Sequence, residues 1–468
     1  MLTEKERIYK RKLISLEATF INSPGAIVGM VAKISGLIDD NKFKYAIDKI
    51  VEAYPILKCK INWDKDDEPY FEETNNSIPV SIIKRYSDED FENIISEEWE
   101  KGFDLVNGPL CKFILLKSPE KSEIIFVGQH SIIDGISTTI MVDLMLKIMD
   151  NQSLQIKSME YEKLPSEENL KKYIPKISLI DRLKNTAISN FVNYRWKRSK
   201  INIPKEDRKK AQDCFFNKFF YIVKIDEFSV EQTAAFIFKC KKNNVTVNSA
   251  LGTAFLACRA EENLDKRIII PVDLRKYLGD SAKEFIGCYS SSIEIGFTYD
   301  VSKSFWENAK IFNELSFKSL TNFEHIKKLY FLSRLPNNFL ESYILSQRIQ
   351  THQDIFKIFP YAEKLGQNSN NIASIAARAE SKKISTFTIT NLGIFNRQCD
   401  YKNFKLESLI MYPSSVASSS TNIILSVITI NSKLTLSYHM LVDKVKKNST
   451  YHYIENIKEK VHKFILDI

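Results

Sequence analysis

The chain is organised around the stretch Glu123-Ile124-Ile125-Phe126-Val127-Gly128-Gln129-His130-Ser131-Ile132-Ile133-Asp134-Gly135. Its first half is a short apolar run of the kind that forms a buried strand. An Asp-Gly turn follows His130, and apolar residues then recur at helical spacing from Ile136 to Ile148. This strand–turn–helix pattern predicts that His130 lies at the end of a sheet and faces a cleft, with Asp134 at the turn beside it.

The junction has two interpretations. His130 is either a reactive residue held near Asp134 or an ordinary core histidine beside a turn, because a motif as short as HxxxDG also occurs by chance. A histidine in a cleft is suited to accept a proton from a substrate, since its pKa lies near working pH. The motif alone does not distinguish the reactive histidine from the core histidine, so the rest of the sequence is needed.

Length and composition indicate a two-domain globular protein. The 468 residues are too many for one ordinary core, and 44% apolar with 27% charged residues is typical of soluble chains. The amino terminus is charged and lacks a secretory apolar core, and no segment reaches the ~18 consecutive apolar residues of a membrane span. The seven cysteines are odd in number and scattered, as in reduced proteins. We therefore expect a cytoplasmic protein without a membrane span.

The net charge of +9 is unevenly distributed. From Arg195 to Lys210, eight basic residues stand against two acidic ones. This stretch is either a solvated linker or a surface for an acidic partner, such as coenzyme A phosphates, a carrier protein or nucleic acid. Trp196 is its only aromatic residue, so base stacking has little support and no nucleic-acid partner is expected. We place a basic linker at 195–212, between an N-terminal subdomain (1–194) and a C-terminal subdomain (213–468).

Helix and strand patterns alternate in both halves. In the first half we expect helices at 43–54 and 88–99 and strands at 56–61, 113–116 and 123–127, the last two forming a hairpin. In the second half we expect strands at 215–225, 267–272, 384–390, 406–412, 423–430 and 434–439. Helices are expected there at 229–240, from 246, within 302–364 and at 453–466. The pattern predicts an α/β protein with a mixed sheet flanked by helices in each half.

Several common catalytic signatures are absent from the sequence. It contains no GxSxG elbow, GxGxxG, GxxxxGK[ST], HExxH or paired CxxC motif. The usual serine hydrolases, dinucleotide enzymes, nucleotide triphosphatases and zinc proteases are therefore excluded. No two of the six histidines stand at ligand spacing on one element, so no metal site is expected.

Four ordered motifs resemble the CoA-dependent acyltransferase superfamily, which includes chloramphenicol acetyltransferase, condensation domains, polyketide-associated acyltransferases and alcohol acetyltransferases. The motifs are Gly102-Phe103-Asp104-Leu105 with Gly108-Pro109-Leu110, Gln129 to Gly135, Pro271-Val272-Asp273-Leu274-Arg275, and Thr390-Asn391-Leu392-Gly393. Each is weak alone, but together they span most of the chain. One departure is Gln129, which stands where condensation domains have a first histidine. This difference weakens assignment to the peptide-forming branch.

The resemblance implies two chloramphenicol-acetyltransferase-like subdomains with the active site at their interface. It implies His130, Asp134 and Gly135 as catalytic-site residues, and Arg275 as the partner of Asp134 in a structural ion pair. Gln129, Asn391 and Gly393 are expected to contact substrate, a plain turn being the alternative for the last two. No bound cofactor is expected; an acyl-CoA or an acyl carrier protein would be a co-substrate, with a small-molecule acceptor.

The expected reaction is acyl transfer from a thioester to an alcohol or amine, without an acyl-enzyme. We expect His130 to remove the acceptor's proton, a role worth roughly 10²–10⁴-fold in rate. Backbone N–H groups around Gly135 are candidate donors to the oxyanion. His439 is the rival base. A free-standing acyltransferase of secondary-metabolite or lipid biosynthesis is the main hypothesis. The alternatives are a condensation-type enzyme using carrier-bound substrates, a catalytically idle carrier-binding scaffold, and an unrelated two-domain binding protein.

Overall fold

The computed structural model describes residues 9–23, 25–156, 164–166, 168–262, 267–381, 385–414 and 423–468. Its strands are β1 (Lys10–Lys12), β2 (Ile27–Gly36), β3 (Cys59–Trp63), β4 (Pro69–Glu73), β5 (Val80–Lys84), β6 (Cys111–Lys117), β7 (Lys121–Gln129), β8 (Phe219–Glu227), β9 (Arg267–Asp273), β10 (Ser290–Gly296), β11 (Ser385–Ile394), β12 (Phe404–Pro413), β13 (Ile423–Ile430) and β14 (Lys433–Asp443). Its α-helices are α1 (Ser15–Ala18), α2 (Asp40–Ala53), α3 (Asp90–Lys101), α4 (Gly135–Asp150), α5 (Leu179–Ser199), α6 (Lys205–Lys218), α7 (Val230–Lys242), α8 (Val247–Ala257), α9 (Phe305–Thr321), α10 (Glu324–Leu332), α11 (Asn337–Thr351), α12 (Gln353–Phe356), α13 (Ala362–Leu365), α14 (Ile372–Ser381) and α15 (Lys447–Asp467).

The first half is built on a five-stranded sheet in the order β12-β2-β7-β6-β5. The expected hairpin is present, since β6 and β7 pair antiparallel, and β5 adds to β6 in parallel. The apolar run from Ile124 to Val127 is fully buried because β7 lies inside this sheet. Helix α4 follows at once, so the end of β7 and the start of α4 meet at one edge of the sheet.

The second half is built on a six-stranded sheet in the order β10-β9-β11-β13-β14-β8. The pairs β9–β11 and β11–β13 are parallel and the other three pairs are antiparallel, so the sheet is mixed. One face packs into a hydrophobic cluster with helices α7, α8, α9 and α15. A small third sheet has the order β1-β4-β3.

Strand β12 crosses from the second half of the chain to the first. It pairs antiparallel with β2, from Phe404 opposite Gly36 to Pro413 opposite Val28, and completes the first sheet. The predicted C-terminal subdomain, 213–468, is therefore wrong in its extent, because β12 belongs to the sheet of the first half. A two-residue alternation in sequence predicts a strand without specifying which sheet receives it.

The expected linker at 195–212 also needs correction. Its residues lie in the end of α5 and most of α6, joined by a short extended segment. Trp196 and Arg208 are buried; the Arg208 guanidinium contacts Asp67 at 3.3 Å and Glu341 at 3.5 Å. Helix α6 continues to Lys218, so the strand expected at 215–225 begins only at Phe219. The run of basic residues suggested a solvated linker, but long basic side chains can also form ion pairs with carboxylates of the same protein while their helices stay packed.

The predicted α/β class is confirmed, with mixed sheets flanked by helices in two halves. A second, larger hydrophobic cluster joins the halves, because it contains β2 and β7 together with residues of β12 and α11. Among the described residues, no helix is long and apolar enough to cross a membrane.

Candidate active site

His130 occupies the first position after β7. Its backbone N–H donates to the Ala26 carbonyl at 2.8 Å, which holds the end of the strand against the start of β2. The imidazole lies on the wall of a large cavity and is stacked on the Phe20 ring, with centroids 4.0 Å apart and planes 12° from parallel. The stacking restricts rotation of the imidazole beside the cavity.

Gln129 joins the end of β7 to the Phe20 backbone. Its side-chain amide donates to the Phe20 carbonyl at 3.0 Å, and its carbonyl accepts from the Ser131 N–H at 2.5 Å. The side chain is buried and is not part of the cavity wall. Both ends of the amide are used within the protein, so this geometry does not favour the predicted substrate contact of Gln129, which stays a prediction. The residue instead holds Phe20 against His130.

Asp134 caps the amino end of α4. Its carboxylate accepts from the Ser137 N–H and the Tyr289 N–H, each at 2.8 Å, and from both terminal nitrogens of Arg275 at 3.0 Å. Burial would raise the pKa of this carboxyl, but the Arg275 charge and the N–H donors hold the pKa below its usual value. With four donors on its oxygens, Asp134 is an ionised structural group, and its lone pairs are not available to accept a substrate proton.

Arg275 is buried and connects several elements. Besides Asp134, the guanidinium donates to the Phe285 carbonyl at 3.0 Å, to Asp273 at 3.0 Å and to the Ser137 hydroxyl at 2.6 Å. These partners come from both halves of the chain. The ion pair therefore fixes the start of α4 against the segment between β9 and β10.

Gly135 is the first residue of α4 and lies on the cavity wall. A Cβ atom there would be 2.6 Å from Met411 Cε and 2.9 Å from Leu392 Cδ2. Glycine thus allows β11 and β12 to approach the amino end of the helix closely. Two residues that the sequence separates from the motif by more than 250 positions are brought against it.

The cavity has a volume of about 1180 Å³ and lies between the two halves. Its floor is one face of the second sheet, to which β9 contributes every other residue: Arg267, Ile269, Pro271 and Asp273. The opposite wall comes from the first half, and α10 and α11 enclose one side. The lining is mixed. Its apolar side chains include Leu16, Phe20, Ile136, Phe331, Leu332, Tyr343, Ile344, Leu392, Met411 and Met440, and its charged ones include Arg267, Asp273, Glu294, Lys328 and Glu380. A space of this size can hold a long or bulky substrate, and its walls offer both apolar and charged contacts.

The other predicted residues lie in different places. Asn391 is on the cavity wall, whereas Gly393 is exposed and is not part of the wall. Both belong to β11, not to a plain turn. The Asn391 side chain accepts from the Gly393 N–H at 2.8 Å, where the register of the strand shifts. Gly393 has a φ of +77°, which favours glycine.

His439 does not fit the role of rival base. It lies inside β14, is fully buried, is absent from the cavity wall and has its Nε2 atom 2.8 Å from the Ser437 hydroxyl. Burial lowers the pKa of His439 to about 3, so it is a neutral core residue. His352, at the end of α11, does line the cavity, and burial with nearby Arg348 lowers its pKa to about 4.

Burial also lowers the pKa of His130, and the Asp134 charge with nearby backbone groups only partly offsets this effect. The imidazole is therefore neutral at physiological pH and can accept a proton. Within the described part of the chain, no group of three or more His, Cys, Asp and Glu residues could hold a metal ion. Phe20 and α11 are the site elements that sequence reasoning missed, since no local pattern relates them to His130.

The family described as "Condensation domain" matches residues 16–311, which is more than half of the chain. The chain belongs to the condensation-domain family. Bacitracin synthase 3 from Bacillus licheniformis is 21% identical over 347 residues, and bacitracin synthase 1 is 22% identical over 344. Each match covers 70% of this chain but only 5% and 6% of the synthase, so the chain spans a small part of these curated relatives.

Solved structures with the same fold cover nearly the whole chain. The trichothecene 15-O-acetyltransferase TRI3 from Fusarium sporotrichioides has a TM-score of 0.64 at 13% identity, covering 99% of this chain and 96% of that one. Polyketide synthase associated protein 5 from Mycobacterium tuberculosis has a TM-score of 0.60 at 13% identity, covering 97% and 96%. These likenesses establish the two-subdomain acyltransferase fold that the motifs predicted for this condensation-domain family member.

Proposed function

We propose that this protein transfers an acyl group from a thioester to an amine or hydroxyl acceptor, with His130 as general base. The observation that carries the proposal is the position of the imidazole. It lies on the wall of the cavity between the two halves. His130 is five residues before the first residue of α4, and stacking on Phe20 restricts its orientation. The cavity is large enough to hold a donor and an acceptor side by side.

The proposed reaction proceeds in two steps. Neutral His130 removes the proton from the acceptor nitrogen or oxygen as that atom attacks the thioester carbonyl carbon. The resulting oxyanion is stabilised by the N–H groups of Gly135 and Ile136 at the start of α4, where the helix dipole is positive, because the Ser137 N–H already donates to Asp134. Loss of one such donor typically costs about 3 kcal/mol. The C–S bond then breaks, and the departing thiolate takes the proton from the His130 imidazolium.

Two sources of the thioester are consistent with the proposal. The bacitracin synthases in the family comparison favour a phosphopantetheinyl carrier protein, whereas the acetyltransferase likeness favours a coenzyme A thioester. The product is accordingly an amide or an ester. The chain spans only a small part of its synthase relatives. The proposed reaction is the same whether the chain acts as a separate enzyme or together with carrier domains.

Asp134 has a supporting role in this proposal. Its carboxylate is saturated by Arg275, Ser137 and Tyr289, and it fixes the start of α4 beside His130. Its charge also favours the imidazolium that forms during the reaction. Asp134 is thus a positioning residue, and His130 is the catalytic one.

The test is thiol release from a panel of acyl-CoAs and acyl-carrier thioesters, each with mixed amines and alcohols. Wild type is compared with His130→Ala, with His352→Ala inside the cavity and with His452→Ala, an exposed residue of α15. We expect acceptor-dependent release that falls at least ~10²-fold only for His130→Ala. Release that survives in His130→Ala would reject His130 as base. A wild type that is silent on the whole panel but binds carrier would favour the idle scaffold.

A further inference from the structure

Helix α5 carries an unusual apolar surface. Six of its large hydrophobic side chains are between 50% and 64% exposed: Leu179, Ile180, Leu183, Ile188, Phe191 and Tyr194. The helix is nevertheless held firmly on its other side. Trp196 is buried with its indole N–H donating to Asn338 at 2.7 Å, and the Asn193 amide donates to the Arg334 carbonyl at 2.9 Å. The exposed residues therefore belong to an ordered helix attached to the protein.

The same region holds the positive charge of the chain. Residues 171–210 contain thirteen basic and three acidic residues, while the whole chain has a net charge of +9, so the remaining sequence is nearly neutral. Lys184, Arg195 and Lys197 are exposed on α5, and none has an ion-pair partner within 4 Å in the described ranges. They differ from Lys209 and Arg208 on α6, which contact Asp104 and Asp67.

The exposed apolar residues cover a wide face. At 3.6 residues per turn they occupy about half of the helix circumference, with basic residues among them and along their edge. A partner helix would bury a narrower stripe. A second copy would bring the unpaired cations of two molecules together, which is unfavourable. A partner that is broad, apolar and negatively charged matches both the width of this face of α5 and its positive charge.

We propose that α5 is a docking element for an anionic lipid surface. Its apolar side chains would enter the boundary between headgroups and acyl chains, while Lys184, Arg195 and Lys197 contact the acidic headgroups. The helix would lie in the plane of the surface without crossing it. Its neighbour α10 contributes Lys328, Phe331 and Leu332 to the cavity wall, so docking would place the cavity near the lipid. Lipid binding itself does not depend on the acyl-transfer proposal.

The test is co-sedimentation of the full chain with vesicles of phosphatidylcholine, alone or with about one third phosphatidylglycerol. We expect binding only to the anionic vesicles, weakened at least tenfold when salt is raised from ~0.1 M to ~0.5 M. Replacing two apolar residues, Leu183→Ser with Phe191→Ser, and separately reversing two charges, Lys184→Glu with Arg195→Glu, should each weaken binding at least tenfold.

Matched controls lie on α7. Phe238→Ser removes a side chain that is 66% exposed, and Lys241→Glu with Lys242→Glu reverses two exposed charges. Both should bind like wild type. Unchanged thermal unfolding will show that the α5 variants remain folded. The proposal is overturned if wild type ignores anionic vesicles, if the α5 and α7 variants bind equally, or if the α5 variants instead abolish a dimer or the binding of an acidic carrier protein.

Discussion

The buried ion pair between Asp134 and Arg275 makes the most informative prediction. Asp134→Asn replaces a carboxylate that accepts four hydrogen bonds by an amide with one acceptor oxygen and an N–H₂ group facing donors. Arg275 would stay buried with only Asp273 as a carboxylate partner. Removing one member of a buried pair typically costs about 3–5 kcal/mol, so we expect a decrease of this size in the free energy of unfolding.

Urea unfolding at neutral pH, followed by tryptophan fluorescence, measures this loss. Arg275→Met and the double variant complete a cycle. The double variant should lose about 1–3 kcal/mol less than the sum of the single losses, because neither charge is left unpaired. Asp280→Asn, at an exposed ion pair with Lys283, serves as the surface control and should not shift the midpoint. If Asp134→Asn unfolds within ~1 kcal/mol of wild type while turnover falls by ~10² or more, Asp134 takes part in the chemistry and the structural assignment is refuted.

The protonation of His130, the close packing at Gly135 and the burial of Glu341 each have a measurable consequence. The value of kcat/KM should decrease with acid only below pH ~6.5, because the pKa of His130 is lowered and only its neutral form accepts a proton. A pH–rate profile in which kcat/KM already decreases above that pH would contradict this. Gly135→Ala should reduce turnover at least ~10-fold with little change in thermal unfolding, because the ends of the flexible Met411 and Leu392 side chains on the cavity wall must shift to admit the Cβ atom; unchanged turnover in the thiol-release assay would contradict this. Burial raises the pKa of Glu341 to about 7 against the charge of Arg208, so the contribution of this group to stability is largest below pH ~4.5 and declines by about 1–3 kcal/mol as pH rises to 7. Glu341→Gln should therefore make the free energy of unfolding rise more, or fall less, between pH ~4.5 and ~7 than in wild type when both are measured by urea unfolding; an identical pH dependence would exclude this role of Glu341.

The sequence by itself determined the elements that depend on neighbouring residues. The strand before His130, the cap at Asp134, the helix that follows and the hairpin of β6 with β7 are all local patterns, because burial periodicity and capping act over a few residues. The motif order was enough to indicate the acyltransferase fold. The resemblance of these motifs to known acyltransferases also named Arg275 as the counterpart of Asp134, which the residues alone did not indicate.

Only the tertiary structure decided the features that join distant segments. The crossing of β12 into the first sheet, the burial of Arg208 and the stacking of Phe20 on His130 each bring together residues more than 100 positions apart. The same holds for Gln129, whose amide is directed to the Phe20 carbonyl and away from the cavity. Side-chain periodicity shows that a residue is buried but not which distant surface buries it, because that choice depends on packing the whole chain at once.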